Sequence, residues 1–295
     1  MPSNRAFTLL ELLVVITIIG ILSSIVIVSM SGSTDSATIA KGKTYAQQVH
    51  ALLGSNAVGV WNFDEGAGTT LTDISGYGNN GTLNKGANGT GLDWVSSDIG
   101  GTALQFDGVD DYVNVSNSAS LNPTTAITIE TWLKLASDSL SGQSIVNKWA
   151  TTMSYQFRVY PANSLDAAIN NGTISSTIKV STPMIGGIWY YVVYTFSFDA
   201  EKIYKDGILL KEETPTVLNI NVTTNTVRIG HDRWGTEKYF DGLIDNVRIY
   251  SEALPSTEIQ KHYVRGLEKL LSNQAITQVE YDQRMEEFNQ YLTSL

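Results

Sequence analysis

Hydrophobic residues follow three different patterns along the chain, and the first is a continuous apolar run near the N-terminus. No side chain between Leu12 and Thr34 is ionisable. As a helix that rises about 1.5 Å per residue, this run can cross a hydrocarbon core about 30 Å thick. Helical spacing of apolar residues continues to Leu53, and Gly54 provides a stop signal. The first part of the chain is therefore predicted to be one long helix with a membrane-spanning half.

The second pattern begins at Val58, where the period of the apolar residues becomes that of β-strands. Short runs rich in Val, Ile, Thr, Trp and Tyr are separated by Gly, Asn and Asp, as expected of an all-β sandwich. Asp206-Gly207 is a strong turn signal for a β-hairpin. The clearest predicted strands are Ala126–Leu135, Trp189–Phe198, Lys202–Tyr204 and Gly242–Tyr250.

The third pattern, after Leu254, is helical again and predicts a hairpin of two amphipathic helices. Thr277 and Glu280 form a capping box that opens the second helix. We expect the hairpin to pack on the sandwich or on the N-terminal helix, and a separate partner-binding role is the alternative. The two apolar stripes are Ile259, Tyr263, Leu267, Leu270 and Leu271, and then Tyr281, Met285, Phe288 and Leu292.

Glu11 places a carboxylate at the start of the N-terminal apolar run, and the next charged residue is Asp35. A charge in the bilayer interior costs several kcal/mol, so this side chain must be paired, neutralised or functional. Arg5 and the terminal amine supply the positive charge expected on the cytoplasmic side of the membrane. The pattern favours an anchor that starts in the cytoplasm and carries a functional carboxylate.

The stretch RAFTLLE at residues 5–11, followed by the apolar helix, resembles the class III leader of type IV prepilins and pseudopilins over about residues 1–54. The resemblance implies that residues 1–6 form a leader, which a prepilin peptidase removes by cutting between Ala6 and Phe7. It also implies that the new amine of Phe7 is methylated and that Glu11 meets the amine of a neighbouring subunit as a helical homopolymer grows. Such a chain lies in the inner membrane before assembly and in a cell-surface pilus afterwards.

Two features depart from the usual pilin pattern. Ala6 stands where glycine is usual, and no proline interrupts the helix downstream. A secretory signal peptide or a plain signal anchor is the alternative, and small residues at 29–33 could imitate a signal-peptidase site. The apolar run is too long for a typical signal peptide, however, and Glu11 would weaken one. We therefore predict processing by a prepilin peptidase.

Six motifs in family order resemble the laminin G-like, concanavalin A-like jelly-roll family over residues 57–252. They start at Gly59 (GVWNFDEG), Asp73 (DISGYGNNGTL), Ala103 (ALQFDGVDDYV), Ile127 (ITIETW), Tyr204 (YKDG) and Phe240 (FDGLIDNVRIY). The predicted fold class is thus α+β: a long N-terminal pilin helix at 7–54, an all-β jelly-roll sandwich head at 57–252 and a short C-terminal helical hairpin at 253–295.

Composition argues against several other classes of protein. The formal net charge is -10, and binding to a phosphate backbone needs clustered Lys and Arg, so no nucleic acid partner is expected. The chain has no cysteine, so its head must hold together without the disulfide loop of many pilins. His50, His231 and His262 lack metal-ligand spacing, and no catalytic motif is present. Glu130 and Asp245 are expected on well-separated strands, so we predict that the protein is not an enzyme.

Calcium is the predicted cofactor, because loops dense in Asp, Asn and Gly offer the oxygen ligands that Ca²⁺ prefers. Within the resemblance, the expected ligands are Asp73, Asn79 and Asn80 of one loop, together with Asp245 near the end of the last strand. The first and last strands of a jelly roll are often neighbours, which would bring these residues together. The alternative is that they form Asx turns without a metal.

Binding of a glycan or another surface ligand is what the laminin G-like resemblance implies for the head. Sugars stack on exposed aromatic rings, so aromatic residues expected in loops are the candidates. They are Trp149, Tyr155, Trp234 and Tyr239. A position in the core or in a subunit interface is the alternative for each of them. Trp61, Trp132 and Trp189 occupy strand positions of the family, so we expect them in the core.

These signals favour a structural subunit of a type IV pilus-like extracellular filament that displays a laminin G-like head. The alternatives are a minor pilin that acts as an adhesin or lectin, and a pseudopilin of a type II secretion-like system. Abundance separates them, because a major pilin dominates sheared surface filaments and the other two are scarce there.

The leader also predicts where the mature protein starts. Cleavage after Ala6 exposes the amine of Phe7, so we expect mass spectrometry of the chain from filaments or membranes to find a methylated Phe7 at the N-terminus. An uncut chain, or a start near Ser29 as a signal peptidase would produce, would contradict this prediction.

Overall fold

The structure is a computed structural model that describes residues 56–86, 91–138, 142–160, 164–232 and 238–295. Residues Leu53–Leu295 form one compact unit, and all the elements described below belong to it. The predicted N-terminal helix at 7–54 lies outside the described residues. Among the residues that are described, no helix is long and apolar enough to span a membrane.

Strands dominate the described part of the chain, and two helices follow them. The strands are β1 (Ala57–Trp61), β2 (Thr70–Leu71), β3 (Gly81–Lys85), β4 (Asp93–Ser96), β5 (Thr102–Asp107), β6 (Asp111–Val115), β7 (Ile127–Leu135), β8 (Gln143–Trp149), β9 (Met153–Tyr160), β10 (Ser164–Asn170), β11 (Ser175–Ser181), β12 (Trp189–Phe196), β13 (Glu201–Lys205), β14 (Ile208–Glu213), β15 (Val227–Ile229), β16 (His231–Asp232), β17 (Lys238–Tyr239) and β18 (Asp241–Tyr250). The helices are α1 (Ser256–Ser272) and α2 (Gln278–Thr293).

Two antiparallel sheets pack face to face as a sandwich. The order of the first sheet is β14-β13-β12-β7-β18-β5-β4, with β1 paired to β18, and the order of the second sheet is β11-β10-β9-β8-β15-β6-β3-β2. The ring of Phe157 in the second sheet lies 6.0 Å from that of Tyr194 in the first. Buried residues of both sheets form one hydrophobic cluster, and β16 and β17 make a separate small hairpin. The predicted β-sandwich is confirmed.

Strand β12 shows why part of the sequence reads as a continuous apolar run. All eight of its residues are buried. Val192 and Tyr194 belong to the core between the sheets, whereas the ring of Tyr191 lies 6.4 Å from that of Tyr263 in α1. A strand that is covered on both faces loses the alternation of apolar and polar residues.

Local signals in the sequence are confirmed at a turn and at a helix start. Asp206 and Gly207 have φ angles of 53° and 74° and connect β13 to β14, as the hairpin signal predicted. The N–H of Glu280 donates to Oγ1 of Thr277 at 3.2 Å, so the Thr277 half of the predicted capping box forms at the start of α2. The side chain of Glu280 accepts instead from Nη2 of Arg284 at 2.8 Å. The strand predicted to reach Phe198 ends at Phe196, because the following residues turn back towards β13.

Helix α1 packs on the outer face of the first sheet, as expected for the C-terminal hairpin. Tyr263 stacks on Trp132 with ring centroids 6.1 Å apart, and Phe288 of α2 meets Tyr263 edge-on at 5.5 Å. Gly266 allows a close approach, because a Cβ at this position would overlap the indole ring of Trp132. The hairpin is therefore part of the packed head.

Glu130 of β7 forms a fully buried polar network beneath α1. Its Oε1 accepts from Nη1 of Arg248 at 2.7 Å and from the hydroxyl of Tyr250 at 3.1 Å. Its Oε2 accepts from the hydroxyl of Tyr191 at 2.6 Å and lies 3.0 Å from Nδ1 of His262 on α1. The carboxylate thus joins the helix to β7, β12 and β18.

The expectation that Glu130 and Asp245 lie on well-separated strands is wrong. β7 and β18 are direct neighbours, with Arg248 opposite Glu130 and Asp245 opposite Trp132. The reason is topological, because the last strand inserts beside β7 in the interior of the first sheet instead of adding to its edge.

Glu130 should make the stability of the head depend on acid. Burial raises the pKa of Glu130, but His262, Arg248 and Tyr191 outweigh burial and lower it from 4.5 to about 2. Because the unfolded chain binds this proton more tightly, the carboxylate contributes stability above about pH 4.5 that is lost as the pH falls towards 2. We expect Glu130→Gln to lower the free energy of unfolding by about 3 kcal/mol at pH 7, since it leaves Arg248 without a buried counter-charge.

Urea unfolding of the full chain in detergent, followed by tryptophan fluorescence, measures this effect. The difference in the free energy of unfolding between the wild type and Glu130→Gln should narrow by about 2 kcal/mol at pH 3. At that pH Glu130 takes up a proton when the wild type unfolds, which stabilises the unfolded chain relative to the folded one. Glu268→Gln, on the exposed side of α1, is the control and should unfold like the wild type. A gap that is equal at pH 7 and pH 3 would contradict the role of the charge.

Candidate functional site

The aromatic residues predicted to bind a ligand have different surroundings. Trp149 in β8 and Tyr155 in β9 are 7% and 0% exposed, so the prediction that they lie in loops is wrong. The hydroxyl of Tyr155 donates to the carbonyl of Leu121 at 3.2 Å in the interior. Trp234 lies outside the described residues, and Tyr239 in β17 is half-buried. The tryptophans expected in the core are buried: Trp61, Trp132 and Trp189.

The loop predicted to supply calcium ligands uses its side-chain oxygens within the chain. Asp73 accepts the N–H groups of Val60, Ser75 and Asn79 at 2.8 to 2.9 Å, and it also accepts the hydroxyl of Ser75. The Oδ1 of Asn80 accepts the N–H of Asp73 at 2.9 Å. The side chain of Asn79 is likewise bonded to its neighbours. The bond from the N–H of Ser75 to Asp73 is that of an Asx turn, which was the alternative to a metal here, whereas the bonds to residues other than Ser75 join positions further apart in the chain.

Asp245 is also engaged by neighbouring side chains. Its Oδ2 accepts the hydroxyl of Ser97 at 2.5 Å, and its Oδ1 accepts from Nδ2 of Asn246 at 2.8 Å. Burial raises the pKa of Asp245 to about 7, although the bond from Ser97 opposes this rise. The strands β1 and β18 are neighbours as expected, yet no hydrogen bond among the described residues joins Asp245 to the Asp73 loop. The geometry gives no support to a calcium site formed by these two segments.

The outer face of the second sheet carries a connected set of polar side chains. In β9, Phe157 and Val159 enter the core, so the alternate residues Arg158 and Tyr160 lie on the outer side. Asp166 of β10 lies directly opposite Arg158. The β16–β17 hairpin adjoins the same surface through Asp232 and Lys238 (see below). We call this group of side chains the polar face, and its members are Arg158, Tyr160, Asp166, Lys179, Arg228, His231, Asp232, Lys238 and Tyr239. Asp166, His231 and Asp232 are buried, and the other members are half-buried or exposed.

Arg158 is the centre of the polar face. Its Nε lies 2.5 Å from Oδ1 of Asp166, and its Nη1 lies 3.6 Å from Oδ2 of Asp232. Nδ2 of Asn147 donates to Oδ1 of Asp232 at 3.2 Å. Burial raises the pKa of Asp166, and Arg158 opposes that rise. These contacts hold the planar guanidinium in one orientation, which suits recognition of hydroxyl and carboxylate groups.

Half-exposed aromatic rings lie beside these ion pairs. Tyr239 stacks on His231 with ring centroids 4.2 Å apart and an angle of 2° between the planes. Three cations lie 4.9, 4.0 and 4.8 Å from the ring centroid of Tyr160, and they are Arg158, Lys179 and Lys238. A partly exposed ring next to hydrogen-bonding groups offers one apolar and one polar contact to a ligand. The face is thus chemically suited to a sugar, and it gathers cations in a chain of net charge -10.

Sequence reasoning missed Arg158, Tyr160 and Asp166, although the signal for two of them is present in β9. The strand reads MSYQFRVY, in which polar and apolar residues alternate as in a half-buried strand. Assigning Tyr155 to a loop concealed this alternation and placed the wrong aromatic residue at the surface. The pairing that brings Asp166 to Arg158 is a contact between strands, which periodicity within one segment does not reveal.

The fold is a β-sandwich of two antiparallel sheets with a pair of C-terminal helices. The chain belongs to the concanavalin A-like lectin/glucanases superfamily, whose laminin G family model matches residues 107–260. The prokaryotic N-terminal methylation motif matches residues 1–27, which confirms the resemblance to a type IV pilin leader. Ala6, Phe7 and Glu11 belong to this motif and lie outside the described residues. No curated protein matches the sequence.

Solved binding domains of toxins share the fold. The botulinum neurotoxin serotype D binding domain has a TM-score of 0.57 at 16% identity, with 72% of this chain and 51% of that chain covered. The binding domain of Paraclostridial Mosquitocidal Protein 1 has a TM-score of 0.55 at 14% identity, with 72% and 52% covered. A structure concerning botulinum neurotoxin type C, whose cell entry depends on interaction with two ganglioside molecules, has a TM-score of 0.53 at 16% identity, with 73% and 51% covered. The chain spans about half the length of these solved chains, and the likeness concerns the fold.

Proposed function

We propose that this chain is a subunit of a type IV pilus-like filament and that its head binds a ligand at the cell surface. The methylation motif at residues 1–27 carries the proposal, because it is the signal of chains that a prepilin peptidase processes. Before assembly, the N-terminal helix holds the chain in the inner membrane. In the filament, helices of neighbouring subunits replace the lipid, and head-to-tail contacts that do not close extend the polymer.

The ligand proposed for the head is a glycan, bound at the polar face. A partly exposed guanidinium, held by two buried carboxylates, lies there beside half-exposed tyrosine rings, and sugars need both hydrogen bonds and an apolar surface. Membership of a lectin-like superfamily supports the same class of ligand. The head also shares its fold with solved chains of toxins, and one of these toxins, botulinum neurotoxin type C, depends on interaction with gangliosides for its entry into cells.

A binding role without catalysis fits the carboxylates of this surface. Glycoside hydrolysis needs one carboxylate that donates a proton and a second that attacks or activates water. Asp166 and Asp232 are both paired with Arg158, and Glu130 accepts hydrogen bonds at both oxygens beneath α1. These contacts favour recognition over acid–base chemistry.

A minor pilin that acts as an adhesin is the second candidate, because the head has the fold of toxin binding domains. The amount of the chain in sheared surface filaments separates the two functions. A major subunit should be the dominant protein there, whereas an adhesin or a pseudopilin of a type II secretion-like system should be scarce.

Glu11→Ala tests the filament role. We expect this variant to abolish or strongly slow assembly while the head stays folded, because the carboxylate no longer meets the amine of the neighbouring Phe7. Electron microscopy and immunoblots of sheared filaments measure assembly, and circular dichroism reports the head. Thr17→Ala, a change without charge in the same apolar run, is the matched control. Normal filaments from Glu11→Ala would refute the role.

Tyr160→Ala tests the polar face. We expect affinity for a glycan selected on an array to fall about tenfold, which corresponds to the loss of about 1.4 kcal/mol from one aromatic contact. Surface plasmon resonance with the full chain in detergent measures the change. Tyr77→Ala is the control, since Tyr77 is 51% exposed and lies in the turn that follows Asp73. A blank array, or equal losses in both variants, would contradict a glycan site here.

A further inference from the structure

A cluster of three aspartates lies where the chain passes from the first sheet to the second. Asp107 ends β5, Asp111 begins β6, and Asp110 lies in the turn between them. Asp107 is exposed, Asp110 is half-buried and Asp111 is buried, and each offers a carboxylate oxygen within 4.8 Å of those of the other two. Like charges held this close repel one another unless a cation balances them or one of the carboxylates takes up a proton.

An oxygen of Asp111 supplies a second, independent observation. Asp111 is 0% exposed, and its Oδ2 accepts the N–H of Asp107 at 3.1 Å. Its Oδ1 is buried and has no hydrogen-bond partner among the described residues. Buried polar atoms are almost always bonded, because leaving a carboxylate oxygen unpaired is costly. This oxygen therefore points to a ligand that the described residues do not provide.

The neighbouring cation does not neutralise the cluster. Lys85 lies opposite Asp111 in the pairing of β3 with β6, but its Nζ bonds Oδ1 of Asp93 at 3.2 Å. Within the described ranges, no ion pair reaches Asp107 or Asp111. The carboxylates of Asp107 and Asp111 are therefore not balanced by an ion pair within the described part of the chain.

The backbone at two glycines lies directly against the three carboxylates. A Cβ at Gly91 would lie 2.5 Å from Oδ2 of Asp107 and 2.6 Å from Oδ2 of Asp111. A Cβ at Gly86 would overlap the carboxylate of Asp110. Backbone thus lies against the cluster where a side chain would not fit. The three grouped side chains all supply hard carboxylate oxygen atoms, which is the ligand chemistry of Ca²⁺.

We propose that Asp107, Asp110 and Asp111 bind a calcium ion that joins the two sheets at this turn. The site differs from the one expected at Asp73 and Asp245, whose oxygens are bonded within the chain. Oδ1 of Asp111 and the carboxylates of Asp107 and Asp110 are the protein ligands, and water completes the coordination. Since calcium would connect β5 to β6, its binding stabilises the folded head.

Thermal unfolding with calcium tests this proposal. The full chain in detergent is first stripped with EGTA and then melted with and without 2 mM CaCl₂. We expect the melting temperature to rise by about 5 °C, because the ion binds the folded state alone. The rise should be lost in Asp110→Asn and in Asp111→Asn, and isothermal titration should show no heat for either variant. Asp110→Asn is the safer variant for folding, since Asp110 is only half-buried.

Asp93→Asn is the matched control, because it removes a neighbouring exposed carboxylate outside the cluster. It should keep the full calcium response. The proposal is overturned if calcium does not raise the melting temperature of the wild type and isothermal titration shows no heat of calcium binding. It is also overturned if Asp110→Asn and Asp111→Asn respond to calcium like the wild type. The same holds if 2 mM MgCl₂ raises the melting temperature as much as calcium does. A response lost in Asp245→Asn but kept in the cluster variants would also overturn it.

Discussion

The buried carboxylate of Glu130 is the constraint on which the rest of the head depends. Burying a charge costs several kcal/mol unless the charge is paired and hydrogen-bonded. Arg248, Tyr250 and Tyr191 supply three of the four contacts from the sheet itself, and His262 supplies the fourth from α1. The network is therefore complete only when α1 lies on the first sheet, which makes the C-terminal hairpin a part of the fold.

The C-terminal hairpin covers the outer face of the first sheet, and the glycan site that we propose lies on the second sheet. The rings of Trp132, Tyr191 and Tyr263 fill the contact between α1 and the first sheet, so that face is not open to a ligand. The outer side chains of β9 and β10 in the second sheet are mostly polar, yet only Arg158 and Tyr160 among them are partly exposed, and the outer side chains of β10 are buried. The same asymmetry explains why β12 reads as a continuous apolar run while β9 alternates.

Features that depend on neighbours along the chain could be predicted from the sequence, and features that depend on distant residues could not. Asp206-Gly207 and Thr277 act on their own turn or helix, so their residue types were sufficient. Glu130 meets Arg248 and His262 across 118 and 132 positions of sequence, and no local pattern indicates those contacts. A loop rich in Asp and Asn is also ambiguous, because the same oxygens can bind a metal or backbone N–H groups, and only the geometry distinguishes the two.

The absence of cysteine gives the contacts beneath α1 a further importance. The last segment of the chain is held by the Glu130 network and by the stacked rings of Trp132 and Tyr263, and no disulfide can hold it. Breaking a buried ion pair costs about 3–5 kcal/mol, which is comparable to the contribution of a disulfide in a small secreted domain. The two devices respond to different conditions, however. A disulfide is broken by a reductant, whereas the Glu130 network weakens when the carboxylate gains a proton. Acid and not redox chemistry is therefore expected to limit the stability that this network gives the head.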